Sequence, residues 1–228
     1  REKIARMATR VHLRSPCGAD GRSRYRTRTS VKCLVTGATG FAGSWLCRHL
    51  IAQGHQVVGW ARRPPKSPIT GVTYATVDIS VRQQVQRAMA KIEVDTVFHL
   101  AAMANVGDCE KRPDLADLIN VVGTQNVFDS MPKSARGIFT STCHVYGFPK
   151  HLPVCETHSC NPVGVYASTK LRAEQLIHES NFSAVIVRSF HHTGPGQETT
   201  YALADWAEQI RRGAKSIVVG NTAIRRDY

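Results

Sequence analysis

Acidic residues are scarce in this chain: 17 Asp and Glu stand against 30 Lys and Arg, for a net charge of +13 with histidine neutral. Also missing are an internal repeat, a visible secretory hydrophobic segment, and any apolar run of the ~20 residues that a membrane-spanning helix needs. Solenoids and helical membrane proteins are thereby excluded. Nor do the seven cysteines show the even count and regular spacing of a disulfide framework, so free thiols and a reducing, cytoplasmic location are expected. Cys143, His144, Cys155, His158 and Cys160 fall within eighteen positions. Zinc sites bring paired ligands on two knuckles, and this single irregular cluster does not, so no metal is expected.

The acid deficit is uneven. Residues 1–32 carry ten Lys/Arg against two acids, a net charge of +8 that leaves +5 for the rest. Rich in Arg, Ser, Thr and Gly and poor in apolar periodicity, the extension over residues 1–30 is expected to be disordered by itself. Three roles are open for it: an organelle-targeting remnant, which would move the protein to a mitochondrion or chloroplast; an arm contacting RNA or a larger assembly; or translated upstream sequence.

The remainder of the 228 residues, in a chain 42% apolar, suffices for one sizeable α/β core with strand-like and helix-like stretches in alternation. Val31-Lys32-Cys33-Leu34-Val35 reads as a strand, and Phe41 to Gln53 as a helix with apolar Phe41, Trp45, Leu46, Leu50 and Ile51. Between them lies a glycine-rich turn containing Gly37, Thr39, Gly40, Phe41, Ala42 and Gly43. Strand, tight turn and helix N-terminus form a cradle for a pyrophosphate, because glycines let backbone N–H groups approach and the helix dipole favours an anion. The spacing is Gly-x-x-Gly-x-x-Gly, where Gly-x-Gly-x-x-Gly is commoner.

A second strand, Gln56 to Trp60, ends at Ala61-Arg62-Arg63. An acid at this distance from the turn would bind a ribose 2′-hydroxyl and repel a 2′-phosphate. Arg62 and Arg63 stand there instead, so charge favours NADP over NAD, with NAD as the alternative. Leu100-Ala101-Ala102 closes a strand from Thr96 with small residues, where backbone passes close to a ligand. Further on, Tyr166 and Lys170 are four residues apart. On a helix they share one face, and a nearby ammonium stabilises phenolate, lowering the tyrosine pKa toward a range where it trades protons with a substrate oxygen.

These runs, in order with Asp78-Ile79, His99-Leu100-Ala101-Ala102, Asn120-Val121-Val122-Gly123-Thr124, Ser141 to Gly147 and Arg188 to Gln197, resemble the extended short-chain dehydrogenase/reductases, the NAD(P)-dependent nucleotide-sugar epimerases, dehydratases and reductases. The last run is most similar to GDP-4-keto-6-deoxymannose reductases, which usually have Asn at the position of His191. The resemblance implies a doubly wound Rossmann-type parallel sheet over residues 31–190, a partial substrate-binding region over 191–228, a nucleotide-sugar substrate and a homodimer. It assigns catalysis to Thr142, Tyr166 and Lys170, an adenine contact to Asp78 with Ile79, and substrate contacts to Thr142, Cys143, His144, His191 and Arg226. Asp78 read by itself is equally a cap for the helix after Ser80, and Asn120 reads as a structural hydrogen-bonder. Dehydratases of the family carry acids just after the Thr142 position. Cys143 and His144 stand there, which disfavours dehydration and leaves 4-keto reduction or epimerisation, with His144 as an auxiliary acid/base or a plain pocket residue. Such relatives continue past the position of Tyr228, so a shortened or non-catalytic dinucleotide-binding subunit is the competing expectation.

Overall fold

The first strand shows the layering of the whole molecule. In the computed structural model, which describes residues 30–221 and 223, β1 (Lys32–Thr36) sends Leu34 into the larger of two hydrophobic clusters and Cys33 and Val35 into the smaller. All three are at most 2% exposed. A strand apolar on both faces belongs inside a parallel sheet covered on both sides.

β1 pairs in parallel with β2 (Gln56–Ala61) and with β4 (Thr96–His99). β3 (Val72–Thr76) lies beyond β2, and β5 (Arg136–Thr142) and β6 (Ala184–Ser189) extend the other side, giving six parallel strands in the order β3-β2-β1-β4-β5-β6. This is the expected doubly wound, Rossmann-type sheet. The expected strand and helix limits are met to within about a residue, the uncertainty inherent in element ends.

Helix α1 (Phe41–Ala52) covers the smaller cluster with Cys47 and Leu50. On the opposite face α2 (Arg82–Met89) contributes Val85 and Met89, α5 (Gly123–Ser130) Val127 and Phe128, and α6 (Gly164–His178) Ala173 and Ile177. Two short helices, α3 (Val106–Lys111) and α4 (Pro113–Asp117), lead through a π-helical turn at Leu118–Val122 into α5, and α7 (Ala202–Arg211) follows β6. The chain leaves β1 toward β2 and returns from β3 to β4, so a crevice opens between the carboxyl ends of β1 and β4. Among the described residues no helix is long and apolar enough to cross a membrane, and no group of three or more His, Cys, Asp or Glu is arranged to hold a metal ion.

Candidate active site

At that crevice lies a cleft of about 1000 Å³. One end is the β1–α1 turn. Gly37 has φ +70°, and a Cβ added there would stand 2.9 Å from the backbone nitrogen of Ala101; a Cβ on Gly43 would meet the Gly37 carbonyl oxygen at 2.1 Å. Only glycine lets the helix begin this close to the strand. Helix α1 starts at Gly40 with no side-chain cap and no acid in its first turn. Its first N–H groups and positive dipole end therefore meet the cleft without a counter-charge of the helix's own, which fits the diphosphate of a dinucleotide. Thr39, Gly40, Phe41 and Ala42 line this end.

The neighbouring wall contains Arg62, Asp78, Ile79, Leu100, Ala101 and Ala102; Arg63 does not line the cleft. Asp78 accepts on Oδ1 from the Ser80 backbone N–H (3.0 Å) and hydroxyl (2.6 Å), so it also shapes the turn into α2. Trp60 lines the same wall, and its buried indole N–H has no acceptor within the described structure.

The opposite end is built where β5 stops. Thr142 accepts from the His144 backbone N–H (3.2 Å), starting a 3₁₀ turn at Cys143–Tyr146, and its side chain also hydrogen-bonds Tyr166 in the first turn of α6. The His144 ring meets Tyr166 edge-on at 6.0 Å and His191 at 5.6 Å. Thr142, Cys143, His144, Tyr166 and His191 thus share one wall. Arg226 lies outside the described residues.

Lys170 departs from expectation. Its side chain is buried, does not line the cleft, and places Nζ over the Phe139 ring, 4.1 Å from the centroid. Burial drives its pKa down to about 7, against the opposing pull of Glu174. Tyr166 is likewise not lowered: burial pushes its phenol up to about 12, only partly offset by the bond to Thr142. Sharing a helix face put the two residues one turn apart, but burial dominates the ionisation of both.

Buried polar chains fix this wall. Thr124 donates to the Asn120 carbonyl (2.6 Å), so it accepts from His99 Nε2 (3.0 Å); Nδ1 then accepts from Thr36 (2.7 Å), which accepts from the Ala101 N–H (3.1 Å). His99, fully buried, has its pKa pushed down to about 3 by desolvation and then by Lys170. Asn120 holds the backbone of Met103 through both amide atoms (2.8 and 3.1 Å) and donates to Thr169 (3.0 Å), which donates to the Tyr166 carbonyl (2.9 Å). Sequence reasoning missed Glu174, 1% exposed, although it continues the four-residue step from Tyr166 through Lys170. It also left His192 unassigned, whose ring stacks on Phe41 at 5.9 Å; nothing in the local pattern ties a residue after β6 to the first helix.

Residues 33–228 match the model of the NAD dependent epimerase/dehydratase family. The UDP-glucose 4-epimerase of Rhizobium meliloti (strain 1021) is 30% identical over 185 residues, covering 77% of this chain and 55% of that protein. That of Haemophilus influenzae is 32% identical over 181 residues, 71% of this chain and 53% of that one. Among solved structures, UDP-glucose 4-epimerase of Thermotoga maritima with UDP-glucose superposes with a TM-score of 0.79 at 25% identity, covering 86% of this chain and 68% of that chain. The UDP-glucose 4-epimerase of Thermus thermophilus, in complex with NAD, gives 0.73 at 27% identity, over 80% and 63%. The chain spans about half the length of these curated relatives.

Proposed function

Because the chain belongs to the NAD dependent epimerase/dehydratase family, we propose that it carries the cofactor-binding and catalytic part of a nucleotide-sugar enzyme that exchanges hydride with a sugar carbon, in epimerisation or in reduction of a 4-keto sugar. The observation that supports this is a single cleft lined at one end by the glycine turn Gly37 to Gly43 and at the other by Thr142 and Tyr166. The names of the relatives favour epimerisation, and the run Arg188 to Gln197 favours reduction.

A dinucleotide held there would supply the hydride chemistry, in either direction. The uncapped N-terminus of α1 binds its diphosphate, and Arg62 favours a 2′-phosphate, hence NADP over the NAD that the Thermus thermophilus structure holds. Thr142 holds the reacting sugar oxygen, and Tyr166, bonded to Thr142, gives it a proton or takes one. Lys170 supplies the cation that favours phenolate and holds the ribose, which requires its amine to leave the Phe139 ring. Cys143 and His144 provide no carboxylic acid beside Thr142, which disfavours dehydration.

Tyr166→Phe keeps the ring and removes the ionisable hydroxyl, so it should abolish turnover while NADPH binding persists. The measurement is NADPH consumption with 4-keto-6-deoxy nucleotide sugars and product analysis with hexose nucleotides. Unchanged turnover in the variant would refute the assigned proton donor, and tight cofactor binding without turnover on any sugar would leave a binding subunit.

A further inference from the structure

The best-connected charge among the described residues lies outside the cleft. Glu174, 1% exposed in the middle of α6, accepts on both carboxylate oxygens from Arg188 of β6: Nε at 3.1 and 3.0 Å and Nη2 at 2.7 Å. Ser141 of β5 donates to the same carboxylate. Arg188 in turn donates through Nη1 to the Tyr146 hydroxyl (3.1 Å) and to the Glu156 carbonyl (3.3 Å), and its guanidinium lies 4.9 Å from the centre of the Tyr146 ring. A buried ion pair of this kind gains little net stability over apolar packing, so its use is to be sought elsewhere.

Phe139 and Ser141 are two apart on β5 and point to one face of the sheet. Lys170 sits on the first and Glu174 is bound to the second, while the two are four apart on α6. Both the strand and the helix therefore set the amine and the carboxylate on one face, near enough for Glu174 to act on the Lys170 charge though not as a direct ion pair. We infer that Glu174 is a positioning residue for the proposed chemistry: its carboxylate, anchored by Arg188 and Ser141, is the counter-charge that favours the protonated form of the Lys170 amine inside the fold. The inference rests on the reading of Lys170 as the lysine of that site.

The groups facing the amine agree with this. From β4 comes His99, neutral at any ordinary pH, and from α6 comes Glu174; Tyr166, one turn before Lys170 on α6, is a neutral phenol, while Arg188 of β6 and the uncharged thiol of Cys160 act on Glu174. Among these groups Glu174 supplies the negative charge. Without it the amine would keep the burial that favours its neutral form, and the Arg188 guanidinium would lose its partner.

The test is direct titration of the amine in the full chain labelled with 13Cε-lysine, the Lys170 resonance being assigned by its loss in Lys170→Met. This readout needs neither cofactor nor turnover, so failure of the sugar chemistry leaves it interpretable. The Lys170 midpoint should fall by about one pH unit or more in Glu174→Gln. It should fall less in the double variant Glu174→Gln with Arg188→Met, because the unpaired guanidinium is gone. If Glu174→Gln does not fold, the double variant decides alone, since it buries no orphaned cation at 188. A midpoint that stays within about 0.3 units of the parent in every variant that folds, or that rises, overturns the inference; a merely structural ion pair would alter the melting temperature and leave the midpoint in place.

Discussion

Arg62 governs cofactor choice in the proposed function, since it is the arginine at the end of β2 that lines the cleft. Arg62→Ala should remove most of a preference for NADPH over NADH amounting to about 1.5–3 kcal/mol, the range of one charge-assisted contact; equal affinities in the parent, measured by titration of cofactor fluorescence, would reject the assignment. Arg63→Ala, outside the cleft, should leave the ratio alone. His99 makes a second prediction at this scale. Its folded pKa of about 3 lies below the ordinary 6.5, so between those values the unfolded chain binds the extra proton. Stability is therefore present above pH ~6.5 and lost as pH falls toward 3, by about 3–5 kcal/mol in the limit. Lys170 has the same sign in a higher window: with about 7 in the fold against 10.5 ordinarily, stability rises as pH climbs between them. Urea unfolding at pH 7 and 4.5 should show a smaller difference in His99→Gln than in the parent.

At the scale of elements, the glycine turn was legible from the chain because a strand, three spaced glycines and an apolar helical stretch are all local patterns. How tightly it is packed was not. Gly43→Ala drives a Cβ to 2.1 Å from the Gly37 carbonyl, so the backbone must give way. A melting experiment should report a loss of about 2 kcal/mol or more, with weakened cofactor binding. Gly107, in α3, has ordinary backbone angles and nothing nearer than 3.4 Å to an added Cβ, so Gly107→Ala should stay within about 1 kcal/mol of the parent. The helix of Tyr166 shows the limit of periodicity. Positions 166, 170 and 174 step along one face, but the direction each side chain takes depends on β5 and β6. Phe139 and Ser141 are some thirty residues away in the chain, so the capture of Lys170 by one and Glu174 by the other left no trace in the local spacing.

For the molecule as a whole, β1 begins at Lys32, and among the described residues the buried members of both hydrophobic clusters all follow it, with Val31 packed against the smaller. Deleting residues 1–30 should leave the melting temperature and cofactor affinity nearly unchanged. If the arm contacts RNA, the parent should bind it with a steep salt dependence that the deletion abolishes. Binding that survives the deletion would move the basic site into the core.

The sequence by itself determined the fold class and the glycine turn, because each rests on local periodicity or on short motifs whose backbone context is also local, while the pairing of Thr142 with Tyr166 came from the resemblance of its ordered motifs. Tertiary structure alone decided which arginine of the pair at 62 and 63 lines the cleft, that burial raises the Tyr166 phenol and pulls the Lys170 amine off the cleft wall, and that Glu174 is bound between β5 and β6. Charge and ionisation depend on what surrounds a group in three dimensions. Those surroundings come from strands far apart in the chain, and the order of residues does not record them.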